Sequence, residues 1–453
     1  MKITELSLKN FKSWEQIDKM KLAPITGLFG TNSSGKTSIL QLLLMLKQTV
    51  ESTDRLQVLD FGSDKSPANL GSFRDVVFGH VNPGKLECSL RWELDKSLEI
   101  KGVEEESRDK VLFSGKEMGF KAVVEESEKN KLQVKQLEYS LAQGKFIMKR
   151  KDGGKDKYEL AVDSTTDFRL KKMSGRQWDL PGPVKCYGFP NEINARYQNA
   201  GFFADLQLQF ENLFSGTKYL GPLRDYPRRQ YSWSGTEPID MGMRGERVVE
   251  ALLAAGAKGL KVSKGPGLRS VTLEERVAEW LKELGLINSF EVEKEGGNVY
   301  RVKVKRSAHS ADVLITDVGF GVSQILPAIV LCYYVPKGSV IILEQPEIHL
   351  HPAVQSGLAD VFIDAVKRRK IQIIFESHSE HLLRRFQRRI AEKSLSNDDV
   401  AFYFSEMGEK SSKLQHLDVD LFGTIKNWPE DFFGDQFGEM LEITKAGMKA
   451  AAK

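Results

Sequence analysis

The sequence predicts an α/β fold: a mixed sheet flanked by helices, interrupted by a β-rich and helical insertion and followed by a small C-terminal unit. Three observations carry this expectation. A glycine-rich loop lies between an apolar strand and a helix near residue 30. An alternating strand and helix rhythm returns after residue 308, and much of the stretch between follows a period-two apolar pattern.

Taken in order, residues 2–8 alternate as a half-buried strand does, and the turn at residues 10–13 leads toward an apolar strand at residues 25–29. Residues 38–47 read as a helix. From 86 to 162 the period is largely two, with turn signals at Gly144 and at Gly153 and Gly154. Thr272 and Glu275 form a capping box for a helix closed by Gly285, and a hairpin with Gly296 and Gly297 at its turn follows. A helix through Tyr333, an apolar run 339–343, a helix 352–366, a strand 371–375 and a helix 379–392 complete the rhythm. The expected division is residues 1–85 as the first part of a nucleotide-binding unit and 86–307 as an insertion, β-rich over 86–165, mixed and helical over 190–285, and a hairpin over 288–306. Residues 308–397 form the second part, and 398–453 a small C-terminal domain.

The loop runs Gly30, Thr31, Asn32, Ser33, Ser34, Gly35, Lys36, Thr37, Ser38 and fits G-x-x-x-x-G-K-[ST] in the required strand and helix context. Its glycines turn backbone N–H groups inward around a phosphate, and the helix start adds partial positive charge. Lys36 is placed to bridge β- and γ-phosphates, and Thr37 to offer a hydroxyl to Mg²⁺. ATP or GTP binding follows.

Three later segments share that chemistry. Gly319, Gly321 and Ser323 open a helix and form a second anion site, for which the economical explanation is a partner subunit. Four apolar residues end at Glu344, where Mg²⁺ coordination needs a carboxylate, and Gln345, Pro346 and Glu347 follow. Another apolar run ends in Glu376, Ser377 and His378, which places His378 at the same sheet edge.

With these motifs in this order, residues 1–45 and 310–395 resemble the ABC-type ATPase head of RecF-like, SMC-like and OLD-family proteins, a P-loop NTPase fold. The resemblance implies ATP rather than GTP, Mg²⁺ bound through Glu344 and Thr37, and His378 as a switch residue sensing the γ-phosphate. It also implies that Gly321 and Ser323 contact ATP held by the opposite subunit, in a head-to-tail homodimer or higher homo-oligomer. More than half the chain separates the loop from its partner motifs, and no heptad run exists. That favours an OLD-like or RecF-like head with a globular insert. The stretches around Tyr219 to Arg224, Glu344 to Pro352, Glu376 to Leu383 and Ile425 to Gly434 further resemble bacterial AAA ATPases with a C-terminal domain of unknown function. Such proteins often act with a nuclease or toxin from a neighbouring gene in anti-phage defence. A DNA repair or maintenance ATPase that clamps DNA directly is the alternative.

One departure is chemical. The residue that polarises the attacking water is usually glutamate, and here it is Gln345. An amide accepts no proton at neutral pH, and losing a general base costs roughly 10²- to 10⁴-fold in rate. Slow hydrolysis is expected, with Glu347 as the substitute base to weigh.

Composition excludes little by itself. Net charge is +4 with 28% charged residues, so any nucleic-acid contact needs local patches. Arg384, Arg385, Arg388 and Arg389, with Arg224, Arg228 and Arg229, are the candidates, and solvated helix faces look the same. Three scattered cysteines and the lack of a long apolar span suit a cytoplasmic protein without membrane contact. His349, His351, His378 and His381 lack the cysteines and spacing of a zinc site. Asp418 and Asp420 have too few residues after them for a nuclease domain, and residues 417–421 alternate as a strand does. Phe437, Met440, Leu441, Ile443 and Met448 mark a terminal amphipathic helix, for packing on the head or docking a partner.

Overall fold

The computed structural model spans residues 1–453. The description covers all of them except 82, 103–110, 128–130, 143, 152–156, 165–167, 175–178, 430–431, 433–439, 441, 447 and 449–453. The Gly153–Gly154 turn, Phe437 and Leu441 lie outside the described residues.

A six-stranded sheet organises the site. Its spatial order is Ser412–Leu417, Val400–Met407, Ile25–Gly30, Gln372–Glu376, Val340–Glu344 and Thr217–Leu220, parallel throughout except for the antiparallel edge pair Val400–Met407 with Ser412–Leu417. Strands that read as unbroken apolar runs are those buried on both faces. Ile341, Leu343, Ile373 and Phe375 join one core with the helices Phe320–Tyr334, Pro352–Arg369 and Glu380–Ala391. Alternate residues Val340, Ile342 and Ile374 join a second core on the other face. The helix Lys36–Glu51 lies in that second core and is buried nearly all round, which is why its sequence shows no clean polar stripe.

That second core is shared with a seven-stranded antiparallel sheet, ordered Trp14–Lys21, Lys2–Phe11, Lys85–Lys101, Val111–Glu126, Leu132–Leu141, Gly144–Arg150 and Tyr158–Ser164. The sheet membership of three strands therefore differs from the expected grouping. Lys2–Phe11, grouped with the loop by sequence, pairs with Lys85–Lys101 of the β-rich stretch. Thr217–Leu220, within the expected insertion, and Val400–Met407, within the expected C-terminal unit, are strands of the six-stranded sheet. Period-two alternation shows that a strand has a buried face, and says nothing about which neighbour supplies its hydrogen bonds.

The capping box is formed, with Thr272 N–H donating to Glu275 Oε2 at 2.7 Å and Glu275 N–H to Thr272 Oγ1 at 3.1 Å. Ser289–Gly296 and Val299–Lys305 make the hairpin. Residues 417–421 are not one strand: Ser412–Leu417 ends at Leu417, and Asp420 Oδ1 accepts from the N–H groups of Phe422 and Thr424 in a turn that leaves Leu421 exposed. An aspartate bonding its own downstream backbone prefers a turn to a strand. Among the described residues, no helix is long and apolar enough to cross a membrane.

Candidate nucleotide site at the strand tips

The loop begins where Ile25–Gly30 meets its neighbour strand. Gly30 has φ 135°, and a Cβ there would lie 2.0 Å from the Ser405 carbonyl oxygen, so only glycine fits. Gly35 has φ 89°, and its Cβ would meet Ser13 Oγ at 2.4 Å. The Trp14 indole N–H donates to the Gly35 carbonyl at 3.0 Å, and the Ser405 hydroxyl to the Ser34 carbonyl at 2.6 Å. Neither Trp14 nor Ser405 was visible as a loop support, since each arrives from a distant strand. Asn32 and Ser33 are exposed at the tip, Ser33 with φ 58°, while Ser34 and Ser38 are buried. Lys36, only 3% exposed, donates to the carbonyls of Thr31 at 2.6 Å and Gly30 at 3.2 Å. Burial lowers its pKa, opposed by the nearby Glu376 carboxylate.

The acid edge is built by register. Glu344 and Glu376 are the paired last residues of adjacent parallel strands. Thr37 Oγ1 donates to Glu376 Oε2 at 2.7 Å, which joins the loop helix to that edge. The sequence motifs single out Thr37 and Glu344 as metal ligands and give Glu376 no role. The signal was present, for Val-Ile-Ile-Leu-Glu and Gln-Ile-Ile-Phe-Glu both place an acid after four buried residues.

Three buried carboxylates crowd this edge: Glu344 at 9% exposure, Glu347 at 6% and Glu376 at 3%. Burial, and then the Glu376 charge, push Glu344 up to about 7. Burial also raises Glu376, against the Thr37 hydroxyl, Lys36 and Gln345. Three buried carboxylates, more negative charge than the nearby Lys36 and Arg224 balance, suit a hard divalent cation with one or two carboxylate ligands and phosphate oxygens. The residues present fit Mg²⁺ held by Thr37, Glu344 and Glu376.

Gln345 follows with φ 42°, its N–H donating to the Glu376 carbonyl at 2.9 Å and its side chain against the Glu376 carboxylate. Glu347 has a different task. Its Oε1 accepts from the Ser377 hydroxyl at 2.7 Å and the His378 N–H at 2.8 Å, and burial raises its pKa first of all. It is a strut under the His378 turn. The His378 ring is exposed beside the Gly30 backbone, its pKa lowered by desolvation and then by Lys36.

Gly321 and Ser323 stand elsewhere. Ser323 is 7% exposed, its hydroxyl donates to the Phe320 carbonyl at 2.8 Å, and it lines a small depression with Asp225, Tyr226 and Pro327. At the same helix start Phe320 is 42% exposed and packs between Tyr226 and His349, while Gly321 lies against Leu286.

The remaining candidates fall into structural roles. His351 caps the helix Pro352–Arg369 by accepting from Ala353 N–H. Arg384, Arg385, Arg388 and Arg389 pair with Glu380, Asp360, Glu392 and Asp360 respectively, and Arg228 and Arg229 with Asp225 and Asp317. Arg224 is unlike them: it is 4% exposed and turned toward Tyr219, Glu347 and Glu344.

Three stretches of the chain match known families. Residues 1–174 match the family described as "AAA ATPase domain", and residues 193–384 the family described as "AAA domain, putative AbiEii toxin, Type IV TA system". Residues 395–443 match a protein family of unknown function, DUF3696. A search of curated proteins returns no match. Among solved structures, the SMC head domain from Thermotoga maritima is similar at 10% identity and a TM-score of 0.42, covering 92% of this chain and all of that one. An SMC head bound to the C-terminal winged-helix domain of ScpA gives 11% identity, 92% and 99% coverage and a TM-score of 0.45. An SMC head with an extended coiled coil, bound to a ScpA C-terminal domain and derived from Pyrococcus furiosus, gives 10%, 98% and 99%, and 0.44. The loop lies within the first of these matched stretches and the acid edge within the second, so this chain carries two stretches that match AAA ATPase family models.

Proposed function

We propose that the site binds Mg²⁺-ATP, hydrolyses it slowly and uses the bound state to pair two chains, as a switch over a separate effector in bacterial anti-phage defence. The observation that carries this reading is the position of Gln345. It stands on the acid edge beside Glu376, where a water-activating base is expected, and holds an amide there.

In this reading the loop N–H groups and Lys36 grip the β- and γ-phosphates. Thr37, Glu344 and Glu376 would hold Mg²⁺, which would supply neutralisation of the phosphate charge. Gln345 orients the attacking water without taking its proton, and His378 faces the terminal phosphate from its Glu347 strut. Glu347 itself is not the substitute base: Oε1 carries two hydrogen bonds and Oε2 is buried. Ser323, remote from the loop in contacts, completes the site of a second copy. The match of residues 193–384 to a family described as a putative toxin of a type IV toxin–antitoxin system supports a place in such a system, and the toxic or nucleolytic step is assigned here to a separate effector encoded nearby. Direct DNA binding is the weaker reading, because the exposed candidate arginines already hold carboxylates and Arg224 is buried.

The test is association state by light scattering with and without Mg²⁺-ATP. Wild type should pass from monomer to dimer, and Ser323→Arg should stay monomeric while still binding ATP. A Ser323→Arg chain that dimerises on ATP overturns the shared site.

A further inference from the structure

The strand Thr217–Leu220 ends beside the tip of Val340–Glu344, and the chain continues through Gly221, Pro222, Leu223, Arg224, Asp225 and Tyr226. Backbone bonds hold this segment on both sides of the arginine. Gly221 N–H donates to the Met243 carbonyl at 2.7 Å, and Asp225 N–H to the Arg244 carbonyl at 2.9 Å. Leu223 and Tyr226 face solvent at 67% and 71% exposure, whereas Arg224 between them is turned inward.

A buried arginine ordinarily satisfies its five donors with a carboxylate fork or carbonyls. Here Nε, Nη1 and Nη2 all lack a partner, and so does Oε2 of Glu347, whose charge the guanidinium feels. Two buried groups of opposite charge, the second close enough for its charge to be felt by the first, are thus both left unbonded. Unsatisfied buried groups are rare in folded proteins, and each needs a reason.

Charge placement supplies one. Among the three buried carboxylates, the charge of Glu376 reaches Lys36, and those of Glu347 and Glu344 reach Arg224. Glu347 spends its other oxygen on Ser377 and His378, so whatever fixes Oε2 also fixes the turn that aims the imidazole. Because its nitrogens are covered, Arg224 acts through that carboxylate rather than on the nucleotide.

We propose that Arg224 is a positioning residue for ATP hydrolysis: by closing onto Oε2 of Glu347 it locks the Glu347, Ser377 and His378 strut and holds His378 toward the terminal phosphate. This rests on the function proposed above.

The experiment is single-turnover ATP hydrolysis and ATP affinity on the full chain, for wild type, Arg224→Gln, Arg224→Lys, His378→Ala and the Arg224→Gln/His378→Ala pair. Arg224→Gln should keep ATP affinity within about 3-fold yet lose roughly 10-fold or more in rate. Arg224→Lys should recover part of the loss, and the double variant should be no slower than His378→Ala alone, because residues acting through one group are not additive. Should Arg224→Gln fail to fold, the cycle runs with Arg224→Lys. Unchanged rates, additive losses, or loss of ATP affinity and melting temperature in step would each overturn the inference alone. A wild-type chain that neither binds nor hydrolyses ATP overturns the proposed function and this inference with it.

Discussion

The two large sheets share a core and divide the labour differently. In the seven-stranded antiparallel sheet one face is buried and the other wet, so polar residues spread along every strand and pair across it, as Lys121 with Glu87 at 2.7 Å and Lys135 with Glu125 at 3.3 Å. In the six-stranded sheet both faces of the parallel strands are covered, and polar chemistry is driven to the strand tips. Glu344, Glu376 and the loop after Gly30 sit at those tips. Substitutions at the tips should therefore alter nucleotide chemistry, and substitutions in the antiparallel sheet away from Trp14, which bonds the loop, should alter stability alone.

The largest effect expected is a gain. Gln345→Glu restores a carboxylate beside the attacking water and should raise ATP turnover by roughly 10²-fold or more. No change would place the water on another residue. Lys36→Ala should weaken ATP binding by on the order of 100-fold, through loss of a charge-assisted contact, as read by calorimetry. Next comes a pH effect with a definite sign. Glu344 titrates near 7 in the folded chain, above its ordinary value, so its ionised form opposes folding once the pH exceeds the unfolded pKa. Without nucleotide, Glu344→Gln should melt close to wild type at pH 5 and be more stable by about 2–3 kcal/mol at pH 8. A gap that narrows with rising pH would contradict the buried, uncompensated acid. The smallest effect lies in the other sheet. Tyr139 hydroxyl donates to the Tyr187 carbonyl at 2.8 Å in the shared core, and Tyr139→Phe should cost about 1–2 kcal/mol with ATP affinity unchanged. A large change in affinity there would dissolve the contrast between the sheets.

Legibility followed the same division. At the strand tips, chemistry is written as local spacing: Gly30 to Ser38, the acid after four apolar residues at Glu344, and His378 after the next strand were all readable. What stayed hidden depends on pairing between distant segments. Glu376 became visible as a partner of Thr37 only through the register of its strand with Val340–Glu344. Trp14 and Ser405 support the loop from strands of two different sheets, Ser405 from the distant end of the chain. Arg224 looked like its neighbours Arg228 and Arg229, because inward and outward arginines share one composition. The sheet membership of Lys2–Phe11 was equally out of reach, since a half-buried strand fits any antiparallel edge.

The central claim, that a divalent cation and ATP meet between Thr37 and the paired acids, has one direct measurement. Mn²⁺ substituted for Mg²⁺ can be followed by pulsed electron paramagnetic resonance in the presence of ATP. One bound Mn²⁺ per chain should show coupling to ATP phosphorus, and that signal should be lost in Thr37→Ala and in Glu344→Gln with Glu376→Gln. Mn²⁺ that stays bound and phosphorus-coupled in those variants, or that binds wild type with no phosphorus coupling, would contradict the account.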